Sequence, residues 1–273
     1  MYEQILFDVE DPIATITLNR PQTLNAWTTR MGAEVKHAMA AAEKDERVVA
    51  IVITGAGRGF CAGADLKDLK SISLGQGDAG PPPELDADPG DPEAGEDFRG
   101  TYTYPMSIGK PVIAAINGPI AGMAVPIALA CDLRFASDRA VFTTAFSRRG
   151  LIAEWGVSWL LDRLVGPAHA LDLLLSARKV DAAEAERIGL VNRTLPHDEL
   201  VPFVRSYARE LAEHCSPSSM ATMKRQVYQH LSERLGPAEK DAIRLMFGTF
   251  EKPDFREGVM SFLEKRKPAF QRL

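Results

Sequence analysis

Apolar and polar residues alternate at the start of the chain. Ile5, Phe7 and Val9 share one face, and Ile13, Thr15 and Thr17 repeat the two-residue period after Asp11-Pro12. Alternation on both sides of a proline turn predicts a β-hairpin. Residues 48–54 form an unbroken, mostly β-branched run stopped by Gly55, and residues 111–116 form another stopped by Asn117-Gly118. Short continuous runs of this kind predict strands buried on both faces. A third strand is expected over 132–136, after an apolar helical stretch. Between hairpin and first run, Thr28 is placed to cap a helix reaching Lys44. Strands alternating with helices predict an α/β fold.

Beyond Gly166 the period becomes helical. Residues 168–176, 181–188, 198–213 and 216–231 carry apolar side chains at helical spacing, and helices over 237–247 and 253–265 open on Pro237 and Pro253, which suit a first turn. The chain divides into an α/β core over 1–195 and a helical region over 196–273. Residues 71–100 interrupt the pattern with Pro81, Pro82, Pro83, Pro89, Pro92 and a crowd of acids. Such a composition buries too little apolar surface to offset its ordering entropy, so a mobile surface loop inside the core is expected.

Composition narrows the function. The 273 residues carry a net charge of −5, without the basic footprint of a nucleic-acid binder. Three cysteines at unrelated spacings do not make a disulfide framework, and a reducing cytoplasm is expected. The five histidines show no metal-ligand spacing. The longest apolar run, 121–131, is too short to cross a bilayer, and the N-terminus has no signal-peptide pattern.

Two clusters carry candidate chemistry. Gly55-Ala-Gly-Arg-Gly-Phe-Cys-Ala-Gly-Ala-Asp65 follows the first buried run, and its small residues let a ligand approach the backbone. It is neither a dinucleotide fingerprint, since Gly59 arrives one residue early, nor a P-loop, since no Lys-Ser or Lys-Thr follows. Asn117-Gly-Pro-Ile-Ala-Gly-Met-Ala-Val-Pro126 reads as strand, tight turn and helix start, where free amides can meet negative charge. Taken singly, each also reads as an ordinary glycine-rich turn or helix packing.

Together with Leu18-Asn-Arg-Pro-Gln-Thr-Leu-Asn25, Lys110-Pro-Val-Ile-Ala-Ala-Ile-Asn-Gly118, Ala130-Cys-Asp-Leu-Arg-Phe-Ala-Ser137, Ala182-Ala-Glu-Ala-Glu-Arg-Ile-Gly-Leu-Val-Asn192 and the stretch from Phe255 to Pro268, these clusters resemble the crotonase (enoyl-CoA hydratase/isomerase) superfamily in order and spacing. The resemblance covers nearly the whole chain except 71–100. It implies a spiral of ββα units and a C-terminal helical region that assembles trimers or dimers of trimers. It also implies an acyl-CoA thioester as substrate, with coenzyme A arriving as part of that substrate and no separate cofactor. Two backbone N–H groups, at Ala62 and Met123 by motif position, are expected to hold the thioester oxygen. Met123 replaces the usual glycine; the role belongs to its backbone, while its side chain narrows the acyl pocket. The resemblance places Ala62, Ala64, Asp65 and Leu66 along the adenine and pantetheine path. Arg20, Lys67, Phe262 and Lys265 are candidates for the phosphate end, the last two from a neighbouring subunit. Each of these cations also fits an ordinary solvated surface charge.

The sequence departs from the familiar hydratase pattern at both glutamates, which fall at Pro126 and Phe146. Neither can exchange a proton. Glu154 remains in the right region, at a position where the resembling dienoyl-CoA isomerases carry an acid. Flanked by Leu151, Ile152, Ala153 and Trp155, it is expected to have a raised pKa, unless Arg148 or Arg149 turns towards it and opposes the shift. Pairing with one of those arginines is the purely structural alternative. Cys61 reads as packing, because no motif sets a histidine beside it. The leading expectation is hydration of a 2-enoyl-CoA with Glu154 as single acid/base. Enoyl-CoA isomerisation with Glu154 as proton shuttle is the second, and a non-catalytic acyl-CoA binder the third.

Overall fold

The computed structural model describes residues 2–76 and 80–273. Strands β1 (Ile5–Glu10) and β2 (Ile13–Leu18) pair antiparallel from Ile5 opposite Leu18 to Glu10 opposite Ile13, turning at Asp11-Pro12 as the alternation predicts. Helix α1 (Thr29–Lys44) is capped by the Thr28 hydroxyl, which accepts the Met31 N–H at 3.1 Å. Met31, Val35, Ala38, Met39 and Ala42 form its buried stripe. Glu34 lies on the same buried face, and its carboxylate accepts the N–H groups of Glu3, Gln4 and Ile5 and the Arg30 guanidinium. A buried charge is tolerated here because every approach to it is a donor.

The chain continues through β3 (Ala50–Gly55), α2 (Leu66–Ser73), β4 (Val112–Ile116), β5 (Ile120–Ala121), α3 (Ala124–Leu129), β6 (Leu133–Ser137) and β7 (Val141–Thr143). Helix α4 (Val157–Ser176) bends at Gly166, whose φ of 75° breaks the helical path before Pro167. Then follow β8 (Val180–Asp181), α5 (Ala182–Arg187), β9 (Arg193–Leu195), α6 (His197–His214), α7 (Pro217–His230), α8 (Leu235–Phe250) and α9 (Pro253–Leu263).

One sheet runs β1-β2-β3-β4-β6-β9, parallel from β2 onward, and a small second sheet runs β5-β7-β8. The continuous apolar runs are explained by cover on both faces. Ile51, Ile53, Val112, Ala114 and Ile116 point into the large core with α1. Ala50, Val52, Ile113 and Ala115 point the other way, onto Leu200, Val204 and Ala208 of α6. This is strand alternation with both faces buried. The boundary expected at residue 195 therefore falls between β9 and α6, and α6 packs as a layer of the sheet.

The expectation of an unpacked loop over 71–100 needs correction for much of its length. Helix α2 continues to Ser73, and residues 83–98 form short 3-10 turns that bury Leu85 and Ala94. The Gly90 N–H donates to Glu43 at 2.7 Å, and Asp91 and Glu93 both take the Arg225 guanidinium of α7. Acids that composition alone reads as solvent-loving are captured by a cation from another element. Residues 77–79 lie outside the described part.

Helix α7 is pinned to the core by a buried cation. Lys224 Nζ lies 2.7 Å from Asp132 and donates to the Pro105 carbonyl at 2.8 Å. Asp132 also accepts the Val112 N–H and the Tyr228 hydroxyl. Removing one partner of a buried pair strands the other, at about 3–5 kcal/mol. Lys224→Met is therefore expected to lower the unfolding free energy by that order in denaturant titration, while Arg187→Met, at an exposed i,i+3 pair with Glu184, changes it by less than about 1 kcal/mol.

Candidate active site

The loop after β3 is set by buried amides. Asn25 is fully buried with φ of 55°, a left-handed conformation that asparagine tolerates. Its Nδ2 donates to the carbonyls of Ala56, Gly59 and Phe60. Asn117, at the end of β4, donates to the Gly57 carbonyl at 3.0 Å. The loop is then laced to the next strand, since Cys61 bridges Ile120 and the Ala121 N–H donates to the Cys61 carbonyl at 3.0 Å.

This lacing brings residues 61–65 against residues 120–123. Gly63 has φ of +96°, and a Cβ there would sit 2.9 Å from the Ala121 carbonyl oxygen and 3.6 Å from the Gly122 Cα. On the other side, the Trp27 N–H donates to the Gly63 carbonyl at 2.7 Å and the Asp65 N–H to the Trp27 carbonyl at 2.8 Å. Ala64 lies between those two bonds, and its own N–H has no acceptor among the described residues. Met123, at the N-cap of α3, likewise has an N–H with no acceptor among the described residues.

The expectation for Ala62 is corrected here. Its N–H donates to the Leu24 carbonyl at 2.9 Å, so that amide is already occupied. Two alanines flank Gly63, and the free N–H belongs to Ala64. Nothing in the sequence separates them, because the choice depends on where the Leu24 carbonyl points. Cys61 is buried and burial pushes its thiol up to about 12, which suits packing and not nucleophilic attack.

The expected substrate-path residues divide into two groups. Arg20 and Asp65 engage each other at 2.8 Å, and Arg20 also donates to the Ala26 carbonyl. The Lys67 N–H, capped by Asp65, and then Arg20 hold the Asp65 carboxyl below its ordinary range. Arg20 thus braces the loop that carries Ala64. Leu66 and Lys67, opening α2, are exposed beside it. Phe262 is 83% exposed and lines a groove among α7, α8 and α9, and Lys265 follows the end of α9 with φ of 53°. None of the residues around Ala64 and Met123 lines that groove, so one protomer does not join the two groups.

Glu154 sits in the turn before α4, its carbonyl accepting the Val157 N–H at 3.0 Å. Burial raises its carboxyl above the ordinary glutamate value. Neither arginine opposes the shift: Arg148 donates to the Ser176 carbonyl, and no ion pair links Glu154 to a cation among the described residues. Pro126 and Phe146 are both buried. Next to Glu154, the Trp155 ring meets Tyr102 edge-on at 5.0 Å, and Tyr102 meets Trp27 at 5.9 Å. Sequence reasoning missed Trp27 and Tyr102, since neither stands in a motif or a periodic face.

A mostly parallel strand-and-helix fold that laces the loop carrying Ala64 to the turn before Met123 defines a crotonase-fold protein. Comparisons agree. The enoyl-CoA hydratase/isomerase family model matches residues 8–272, and the chain belongs to that family. It is 35% identical to the probable enoyl-CoA hydratase of Mycobacterium leprae over 98% of both chains. It is 34% identical to the 1,2-epoxyphenylacetyl-CoA isomerase of Escherichia coli over 99% of both. The solved enoyl-CoA hydratase subunit I of Geobacillus kaustophilus superposes with a TM-score of 0.84 at 32% identity, covering 99% of this chain and 98% of that one. No helix among the described residues is long and apolar enough to cross a membrane.

Proposed function

We propose that this chain hydrates a 2-enoyl-CoA, with the Ala64 and Met123 amides holding the thioester oxygen and Glu154 moving the proton. The observation that carries the reading is Glu154 itself: a partly buried carboxyl, raised by desolvation, unpaired among the described residues. A carboxyl whose hold on a proton is raised by burial is suited to acid/base work. The occupied Ala62 amide and the two unoccupied ones support the choice of Ala64 as second donor.

The test is turnover of a short trans-2-enoyl-CoA and its 3-enoyl isomer in deuterated water, with products resolved by mass. A 3-hydroxyacyl-CoA product supports hydration. Interconversion of the enoyl isomers without net water addition replaces that reading with the second one, isomerisation. That alternative draws on the E. coli isomerase relative and on a proton shuttle needing only one carboxylate. Because Glu154 must be ionised to take a proton, kcat/KM is expected to rise with pH through a value above that of an ordinary glutamate. A pH-rate profile of the wild type checks the sign.

The same reading extends to assembly. Helices α8 and α9 expose Ile243, Met246, Phe247, Phe250, Phe255 and Phe262, and bury almost nothing within their own chain. A second copy covering that face, as a trimer or dimer of trimers, is expected in light scattering of the purified protein. Phe247→Asp together with Phe250→Asp is expected to shift it to monomer. Docking of a neighbour there is also the route by which Phe262 and Lys265 reach another protomer's CoA path.

A further inference from the structure

We infer that Tyr102 carries the second proton of the reaction, standing between the Trp27 indole and the Glu154 turn where the site lacks a second carboxylate. The inference rests on the hydration reading above and deepens it. Water addition has two proton transfers to manage, one from the attacking water and one to the α-carbon. Pro126 and Phe146 can supply neither.

Geometry places the phenol across the site. Trp155, the neighbour of Glu154, meets the Tyr102 ring at 5.0 Å on one side, and Trp27 meets it at 5.9 Å on the other. Trp27 is the residue whose backbone N–H and C=O bracket Ala64. One aromatic chain, Trp155–Tyr102–Trp27, therefore links the carboxyl side of the site to the amide side.

An orphaned donor points to the same group. Trp27 Nε1–H is buried and makes no hydrogen bond of normal geometry among the described residues. It nevertheless lies close enough to the Tyr102 hydroxyl to favour its anion. A buried donor is costly to leave unmade. A phenolate formed during turnover would be a stronger acceptor for it than the phenol oxygen, so the indole N–H is poised for the deprotonated state. At rest, burial above all, with the negative charge of Glu154 next, keeps the phenol protonated and ready to give.

The step balances without a further reactant. The Glu154 carboxylate takes a proton from water as the water oxygen bonds the β-carbon, and the π electrons move onto the thioester oxygen. The enolate then collapses, and its α-carbon takes the Tyr102 proton. The tyrosinate recovers the proton held by Glu154. One water is added, and both side chains return to their starting states.

The test uses the full chain with Tyr102→Phe, which keeps the ring between the two indoles and removes only the hydroxyl. On a short trans-2-enoyl-CoA, kcat is expected to fall about 100-fold with KM within about threefold, the range of a lost general acid. Exchange of the α-hydrogen of the 3-hydroxyacyl-CoA in deuterated water is expected to fall in step. Trp27→Phe, which deletes the indole N–H, is expected to lower both readouts about tenfold and gives a second measure should the first variant fold poorly. Hydration by Tyr102→Phe within threefold of the wild type overturns the inference, as does a loss confined to KM. Failure of the underlying reading shows elsewhere: a wild type that neither hydrates nor exchanges overturns both, whereas a failure of Tyr102 alone leaves the wild type active.

Discussion

Glu154→Gln is expected to lower kcat for enoyl-CoA hydration by roughly 10²–10⁴-fold, the usual contribution of a positioned acid/base. Affinity for a CoA ester is expected to hold within a few-fold, because the amides at Ala64 and Met123 are untouched. Steady-state kinetics and ligand titration on the same preparation separate the two effects. Thermal stability adds an independent check. The folded pKa of Glu154 lies above its unfolded value, so the folded state binds the proton more tightly. Stability contributed by this group is therefore present below the unfolded pKa and declines as pH rises towards the folded pKa. At neutral pH the ionised carboxyl is a burden to the fold, and Gln is expected to leave Tm unchanged or slightly higher. A destabilising group retained for activity is a common trade. Full activity in the variant, or a fall in Tm equal to the fall in activity, would remove Glu154 from the mechanism.

Gly63→Ala is expected to have the second largest effect, and on two readouts at once. A Cβ at φ of +96° is strained in any surroundings, and here it would stand 2.9 Å from a backbone oxygen that cannot swing aside. The two loops must separate, which pulls the Ala64 amide away from Met123. Loss of one oxyanion donor is worth about 10²–10³ in kcat, and the strain itself about 1–3 kcal/mol of stability. Gly75→Ala is the matched control. Its φ is +70°, yet nothing lies within 4 Å of the added methyl. It is expected to carry a modest stability loss and unchanged kcat, so equal kcat in the two variants would show that the loop contact does not shape the site.

Much of the fold was legible because local signals agreed with tertiary demand. The Asp11-Pro12 turn, the Thr28 cap and the two apolar runs each appear where the pattern places them. Strands β7, β8 and β9 did not, since two or three residues are too few to show a period. The first half of α4 was missed because the Gly166-Pro167 break leaves only residues 157–165, too short a window for the buried stripe of Val157, Leu160, Leu161 and Val165 to declare a period. Of the candidate site, the two glycine-rich loops were legible as segments, and their approach is set by the bridge of Cys61 to Ile120. Which alanine beside Gly63 offers its N–H was not legible, because the Leu24 carbonyl, distant in sequence, accepts the Ala62 N–H and decides it. The Trp155–Tyr102–Trp27 chain joins residues separated by up to 128 positions, 155 less 27, and only folding sets them side by side.

The single helix α6 that covers the second face of the sheet has a consequence for synthesis. Strands β2, β3 and β4 leave the ribosome well before residues 200–208, which cover them. At about 5–20 residues per second, the interval between the end of β3 and the end of α6 is roughly 8–30 s. Over that interval Ala50 and Val52, joined by Ile113 and Ala115 once β4 is made, wait without the helix that covers them. Such an intermediate invites chaperones or clumping. The helix that makes no contribution to the chemistry is, on this view, the element that determines how safely the chain is made.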